Sequence, residues 1–255
     1  MAVSDHFREL RARLIRAVLV WLVLFVVALF FYEPLLAILK HPYDTAVRGG
    51  TVDSEIVVSG IGGPLMLQLK LCAVAALIVA SPWWLREIWG FLLPGLHKNE
   101  RTWTRIFAAV AGPLFMAGVA LGYYVLPKGI RLLIEFTPLD TTNLVDFDDY
   151  FGFIVRMLLI FGIAFEIPLF VVMLNLAGVV SGKMLGKYRA WIVMGTMLFA
   201  AVATPSPDAL TMLMLALPML VLFLIAEVIA RLVDRARGRR EKGTELWDDD
   251  EVSPI

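Results

Sequence analysis

Glu166 is the residue that most needs chemistry to explain it. It lies inside the apolar run Gly152–Leu176, fourteen residues from one end and ten from the other. Those intervals correspond to about 21 Å and 15 Å along a helix. A glutamate cannot snorkel to water from there. Inserting an acidic residue at that depth costs about 2.5–3.5 kcal/mol, which marks it as a functional site by default. Pro168, two residues on, removes a backbone hydrogen bond and predicts a kink that opens a concave face. The competing reading is a glutamate that only locks helices together. Two further carboxylates sit among cations: Glu9 with Arg8, Arg11 and Arg13, and Glu100 with Lys98, Arg101 and Arg105. A carboxylate can accept a guanidinium fork through both oxygens. Taken alone, however, these residues favour ordinary local pairs, with Glu9–Arg13 at i,i+4 spacing.

Several chemistries have no residues to carry them. His6, His41 and His97 all lie outside the apolar runs, and neither a Ser–His pairing within them nor an H-E-x-x-H motif is present. The glycine-rich stretch Gly60-Ile61-Gly62-Gly63-Pro64 leads into an apolar helix and not a βαβ unit, so it reads as a loop. No P-loop occurs, and the single cysteine, Cys72, cannot form an intrachain disulfide. The expectation is a non-enzyme without catalytic residues, metal ligands or cofactor. Equal numbers of basic and acidic residues, 23 of each, give no field for nucleic acid.

The elements that position these residues are membrane spans. Of 255 residues, 60% are hydrophobic and 18% charged, and the mean hydropathy is +0.79. Soluble domains run nearer 45–50% apolar and about 25% charged, so most of this surface must face lipid. Six apolar segments can be read: Leu14–Leu39, Pro64–Leu85, Ile106–Leu126, Gly152–Leu176, Trp191–Ala203 and Ala209–Ile229. They are too continuous for barrel strands, which predicts an all-α integral membrane protein forming a concave bundle. Six transmembrane helices are expected, the fifth and sixth of them short: the fifth segment spans only about 20 Å, less than a hydrocarbon core of about 30 Å. No cleavable leader is expected ahead of the first.

The basic residues set the orientation. Seventeen of the 23 fall in the N-terminal tail, the second–third and fourth–fifth connections, and the C-terminal tail. The positive-inside rule then places both termini in the cytoplasm. Residues 1–230 form the membrane domain, and 231–255 read as a charged, irregular cytoplasmic tail. Lys70 lies within snorkelling reach of the opposite surface and reads as structural.

Four stretches together resemble the TatC family of twin-arginine protein translocase components, across essentially all six segments. They are His6-Phe7-Arg8-Glu9-Leu10-Arg11-Ala12-Arg13-Leu14; Pro82 through Arg101; Phe165-Glu166-Ile167-Pro168; and Thr204-Pro205-Ser206-Pro207-Asp208 followed by Ala216-Leu217-Pro218-Met219. The resemblance implies a receptor for folded proteins exported with an S/T-R-R-x-F-L-K signal peptide, driven by the proton motive force across the bacterial cytoplasmic membrane. It implies a signal-peptide site at Glu9, Leu10, Arg11, Phe91, Glu100 and Arg101, with Glu9 and Glu100 facing the paired arginines. Pro168, Pro205 and Asp208 become structural or outer-face positions. The implied partners are single-span Tat proteins of the TatA/TatB type, twin-arginine precursors and membrane lipid, with self-association left open. Two residues depart from the family pattern: Arg86-Glu87 replaces an uncharged pair, and Met212 stands where a glutamine is common.

The alternative from another class is a proton-coupled solute carrier with Glu166 as its proton site. A pseudo-repeat between the two halves would favour it, and none is found.

Overall fold

The computed structural model describes residues 3–48, 54–92, 100–138, 143–204 and 209–245. Nine helices and two short strands follow one another among them: α1 (Val3–Phe30), α2 (Tyr32–Val47), β1 (Ser54–Val57), α3 (Gly63–Val79), α4 (Ser81–Leu92), α5 (Glu100–Glu135), β2 (Asn143–Asp146), α6 (Phe147–Leu176), α7 (Gly182–Lys187), α8 (Arg189–Ala203) and α9 (Ala209–Glu245). Four helices are long and apolar enough to cross a membrane, over Phe7–Phe30, Ala109–Glu135, Phe147–Leu176 and Thr211–Ala236. The pair α3–α4 would make a fifth span, bent by 56° at its break. The apolar helix α8 is shorter than these, as the thirteen-residue segment predicts. The sixth helix, expected to be short, is instead long: α9 carries a full-length span because its helix runs on past the apolar segment into the basic residues that follow.

Two of the predicted segments are subdivided. Leu14–Leu39 breaks at Phe31, and α2 begins with Glu33 in its first turn. Pro64–Leu85 breaks at Ala80, where Pro82, lacking an N–H, cannot continue the preceding helix's hydrogen-bond ladder. At the other end of the chain, α9 runs on to Glu245, so residues 231–245 are helical where an irregular tail is expected. Arginine, lysine and glutamate are good helix formers, and the i,i+4 pair Glu227–Arg231 carries the helix across the boundary.

The centre of the molecule is the contact between α5 and α6. Lipid offers no hydrophobic drive between helices, so close approach depends on small residues. Gly118 and Gly122 of α5 supply it: a Cβ on Gly118 would sit 2.5 Å from the Phe161 carbonyl oxygen, and one on Gly162 would meet the Phe115 ring at 2.6 Å. Phe115, Met157, Phe161 and Ala164 are fully buried in this seam.

One end of the bundle is closed by connecting segments. Strands β1 and β2 pair in parallel, Ser54 opposite Asn143 and Val57 opposite Asp146. Tyr150 donates its hydroxyl to the Leu39 carbonyl at 2.7 Å, and Tyr123 donates to that of Ile38 at 2.8 Å, tying α2 across α5 and α6. Asp146 caps α6 through the Asp148 amide, and Lys70 reaches Asp148 at 2.8 Å.

Candidate functional site

Helix α4 links the candidate side chains: it packs against α1 and α5, and its Trp89 reaches Glu166 of α6. On the α1 side, Arg13 donates from Nε and Nη2 to Glu9 Oε1 at 3.0 and 2.7 Å. Its Nη1 points to the Glu87 carboxylate at 3.4 Å, and Arg16 donates to the same Glu87 oxygen at 3.0 Å. Glu87 is 12% exposed, whereas Glu9 keeps 37% of its side-chain surface. Gly90 makes the space: any Cβ there would collide with the Arg13 guanidinium. Arg86, the other member of the departing pair, lies over the Trp83 ring at 5.6 Å. The predicted local pair Glu9–Arg13 therefore exists, but α4 joins it from more than seventy residues away.

Leu10 and Arg11 are exposed on the next positions of α1, and Phe91 is half-buried near the end of α4. Glu100 and Arg101 begin α5, but their side chains lie outside the described residues, as do Pro205 and Asp208. The structure thus places Glu9, Leu10 and Arg11 together on α1 and adds Glu87, which sequence reasoning noted only as a departure. Its signal was the charge itself, at a position where the resemblance has none.

On the opposite side of α4, Trp89 Nε1 donates to Glu166 Oε2 at 3.3 Å. Glu166 is 9% exposed, and its Oε1 has no partner among the described residues. It borders an open apolar cavity of about 280 Å³ with Trp84, Ile88, Phe115, Ile163 and Phe170. Glu166 stands nineteen residues after Phe147 and ten before Leu176, so it is displaced from the middle of α6 towards the Leu176 end. Pro168 sits inside α6, which continues as a single helix. Proline is tolerated in membrane helices when neighbours satisfy the freed carbonyl.

A second buried glutamate escaped sequence reasoning. Glu227 of α9 is 2% exposed and receives Arg189 at both oxygens, 3.1 and 2.8 Å, together with Arg231. Nearby, Asp234 accepts from the Gly182 amide at 2.6 Å and from Asn175 Nδ2 at 2.9 Å. This group ties α7, α8 and α9 to the end of α6. Glu227 lies near the end of the last apolar run with Arg231 as its nearest basic residue, so only that i,i+4 arginine was visible locally.

Among the described residues no group of three or more histidine, cysteine, aspartate or glutamate side chains is placed to hold a metal. What the arrangement can do is present carboxylates: one half-exposed at an arginine-rich surface, one buried against an indole within the apolar bundle. The fold and site define a polytopic helical membrane protein with an ion-paired surface where α1 meets α4, and the family comparison is specific. The family of the Sec-independent protein translocase protein (TatC) matches residues 5–218, and the chain belongs to it. A TatC from Corynebacterium kroppenstedtii is 37% identical over 278 residues, covering all of this chain and 67% of that protein. One from Frankia casuarinae is 38% identical, covering all of this chain and 73% of its own length. Crystal structures of the twin arginine translocase receptor TatC superpose with TM-scores of 0.68 and, in DDM, 0.70, both at 29% identity. The first covers 89% of this chain and 98% of the solved one; the second covers 88% and 99%.

Proposed function

We propose that this TatC-family chain, a core membrane component of the Sec-independent translocase, is the part that captures the twin-arginine signal peptide. The family membership sets the solute-carrier alternative aside. In this reading the α3–α4 pair and α8 complete six spans, with both termini in the cytoplasm of a bacterial cell. Glu9, Leu10, Arg11, Phe91, Glu100 and Arg101 form the cytoplasmic peptide site, and single-span TatA/TatB-type proteins assemble on the bundle. Export of folded precursors is driven by the proton motive force.

One observation carries the peptide-site reading. Both bonds from Arg13 to Glu9 end on Oε1, and Oε2 receives none among the described residues. Glu9 is therefore oriented by a fixed cation while Oε2 is left without a bond among the described residues, on a side chain that keeps 37% of its surface exposed. An incoming guanidinium can use that oxygen, and the charge-assisted bond is stronger than a neutral one. Exposed pairs that only hold neighbours contribute about 0–1 kcal/mol. The double substitution Glu9→Gln, Glu100→Gln should weaken capture of twin-arginine precursors with unchanged membrane abundance of the protein. Near-normal export by that variant would remove the assignment.

A further inference from the structure

We propose that Glu87 is a positioning residue of the arginine-binding surface: it draws part of Arg13, and Arg16, towards α4, so that Arg13 occupies one oxygen of Glu9 and leaves the other to receive the paired arginines of a signal peptide. The inference rests on the reading of Glu9 just given and extends it to a residue outside the resemblance-implied site.

Four charges meet where α1 crosses α4. Glu9 and Glu87 face Arg13 and Arg16, so these four charges balance one another, while Arg8, Arg11 and Arg86 beside them keep the wider surface basic. A peptide bearing two arginines approaches the same surface with two more positive charges. Without the Glu87 carboxylate, two guanidiniums would surround one carboxylate, and the patch would repel a dication. Geometry adds a second effect. Arg13 Nη1 is directed at Glu87, both at its carboxylate and at its backbone carbonyl 3.5 Å away. That leaves only Nε and Nη2 for Glu9, both on one oxygen. A guanidinium released from Glu87 is a free fork that can take both Glu9 oxygens. The slot at Gly90 keeps Arg13 against α4, and Glu87, 12% exposed, is the less hydrated of the two carboxylates. Glu87 therefore sets how much of Glu9 is available while making no contact with peptide itself.

The test uses the full chain with its translocase partners in membrane vesicles, and equilibrium binding of a fluorescent synthetic twin-arginine signal peptide. Glu87→Gln should weaken binding about threefold to tenfold, the scale of one partly screened charge near a protein surface. The loss should shrink as salt is raised. Adding Arg16→Gln to that variant removes the excess cation and should restore affinity, which a purely structural role of Glu87 would not produce. Arg16 is half-exposed, so Arg16→Gln alone should accumulate normally and bind as tightly as the parent or up to about threefold more tightly. Parent-like binding by Glu87→Gln, no recovery in the double variant, or weaker binding by Arg16→Gln would each overturn the proposal. If Glu87→Gln fails to accumulate, Arg16→Gln decides. Glu9→Gln separates the two readings: if it binds normally, the Glu9 assignment fails. If it weakens binding while Glu87→Gln does not, only the role of Glu87 falls.

Discussion

Glu87 and Trp89 stand two residues apart on α4 and reach in opposite directions, Glu87 to Arg13 and Arg16 of α1, Trp89 to Glu166 of α6. Two residues turn a helix by about 200°, so one turn of α4 connects the ion-paired surface to the buried glutamate. Trp89 is itself fixed by rings of Phe107 and Phe170 at 5.7 and 6.4 Å. Displacing α4 on one side must therefore disturb the other.

Trp89→Phe keeps the aromatic contacts and removes the one donor to Glu166 found among the described residues. A buried acceptor left unsatisfied costs about 1–3 kcal/mol. Detergent-solubilised Trp89→Phe should unfold at lower temperature than the parent, and Trp89→Leu, which also loses the ring contacts, lower still. Equal stability of Trp89→Phe and the parent would show that the indole N–H contributes nothing.

Glu166→Ala should impair transport while the protein still accumulates, read by export of a twin-arginine reporter alongside immunodetection of the chain. The indole donates to one Glu166 oxygen, and an amide carbonyl accepts equally well. Glu166→Gln should therefore retain most activity. If glutamine fails as badly as alanine, ionisation or proton transfer at this site is required. Normal transport by the alanine variant would leave only a helix lock.

Topology is checked by cysteine placement in a Cys72→Ala background. Cysteines at Glu55 and Ser59, both exposed at the strand-bearing end, should react with an impermeant thiol reagent added outside intact cells. Those at Lys183 of α7 and Arg235, at the end of the Thr211–Ala236 span, both exposed, should react only after permeabilisation. The reverse pattern would invert the orientation and remove Glu9 from the cytoplasm.

Much of this architecture was legible because a membrane span is a local, continuous signal. Glu166 announced itself by standing in such a run. The Gly118–Gly122 spacing was equally visible as a G-x-x-x-G, although it was not read as the seam it makes with α6. Pairings across long separations were not visible. Strand β1 meets β2 across 89 residues, Arg13 meets Glu87 across 74, and Arg189 meets Glu227 across 38. Nothing in the periodicity of either partner specifies the other. Charge counting placed these arginines on one side of the membrane but could not say which carboxylate each would find.

The helix cap at Asp146 should confer a dependence on acid. Its carboxylate is held below the usual range, first by the hydroxyl of Ser59 at 2.5 Å and then by the Asp148 amide. A depressed pKa contributes stability that is complete above the unfolded value, near 3.8, and is lost as pH falls through the folded value. Thermal stability should therefore be insensitive to this residue between pH 7 and 5 and decline below about 4. Asp146→Asn retains a capping side chain and should flatten that acid-side decline. An unchanged profile in the asparagine variant would exclude the cap as its source.

The ion-paired group around Glu227 should govern whether α7, α8 and α9 stay together. Glu227 is buried, while Arg189 and Arg231 keep about half of their side chains exposed, 52% and 45%. Removing the carboxylate leaves cations that water can still reach. The loss is consequently that of charged hydrogen bonds, about 1.5–3 kcal/mol, and not the larger penalty of a stranded buried charge. Glu227→Ala should lower the thermal stability of the solubilised protein and expose the α7–α8 connection to protease. Removing Arg189 or Arg231 singly is a harsher change for the glutamate, since Glu227 would keep only one half-exposed partner. Arg189→Ala supplies the decisive comparison, because it deletes the bidentate contact and leaves Arg231 alone on a buried carboxylate. It should therefore destabilise at least as much as Glu227→Ala. In the double variant Glu227→Ala, Arg189→Ala the losses should not add, because either substitution alone already breaks the same bonds. Fully additive losses would show that the two residues act independently and that the group is not one clamp.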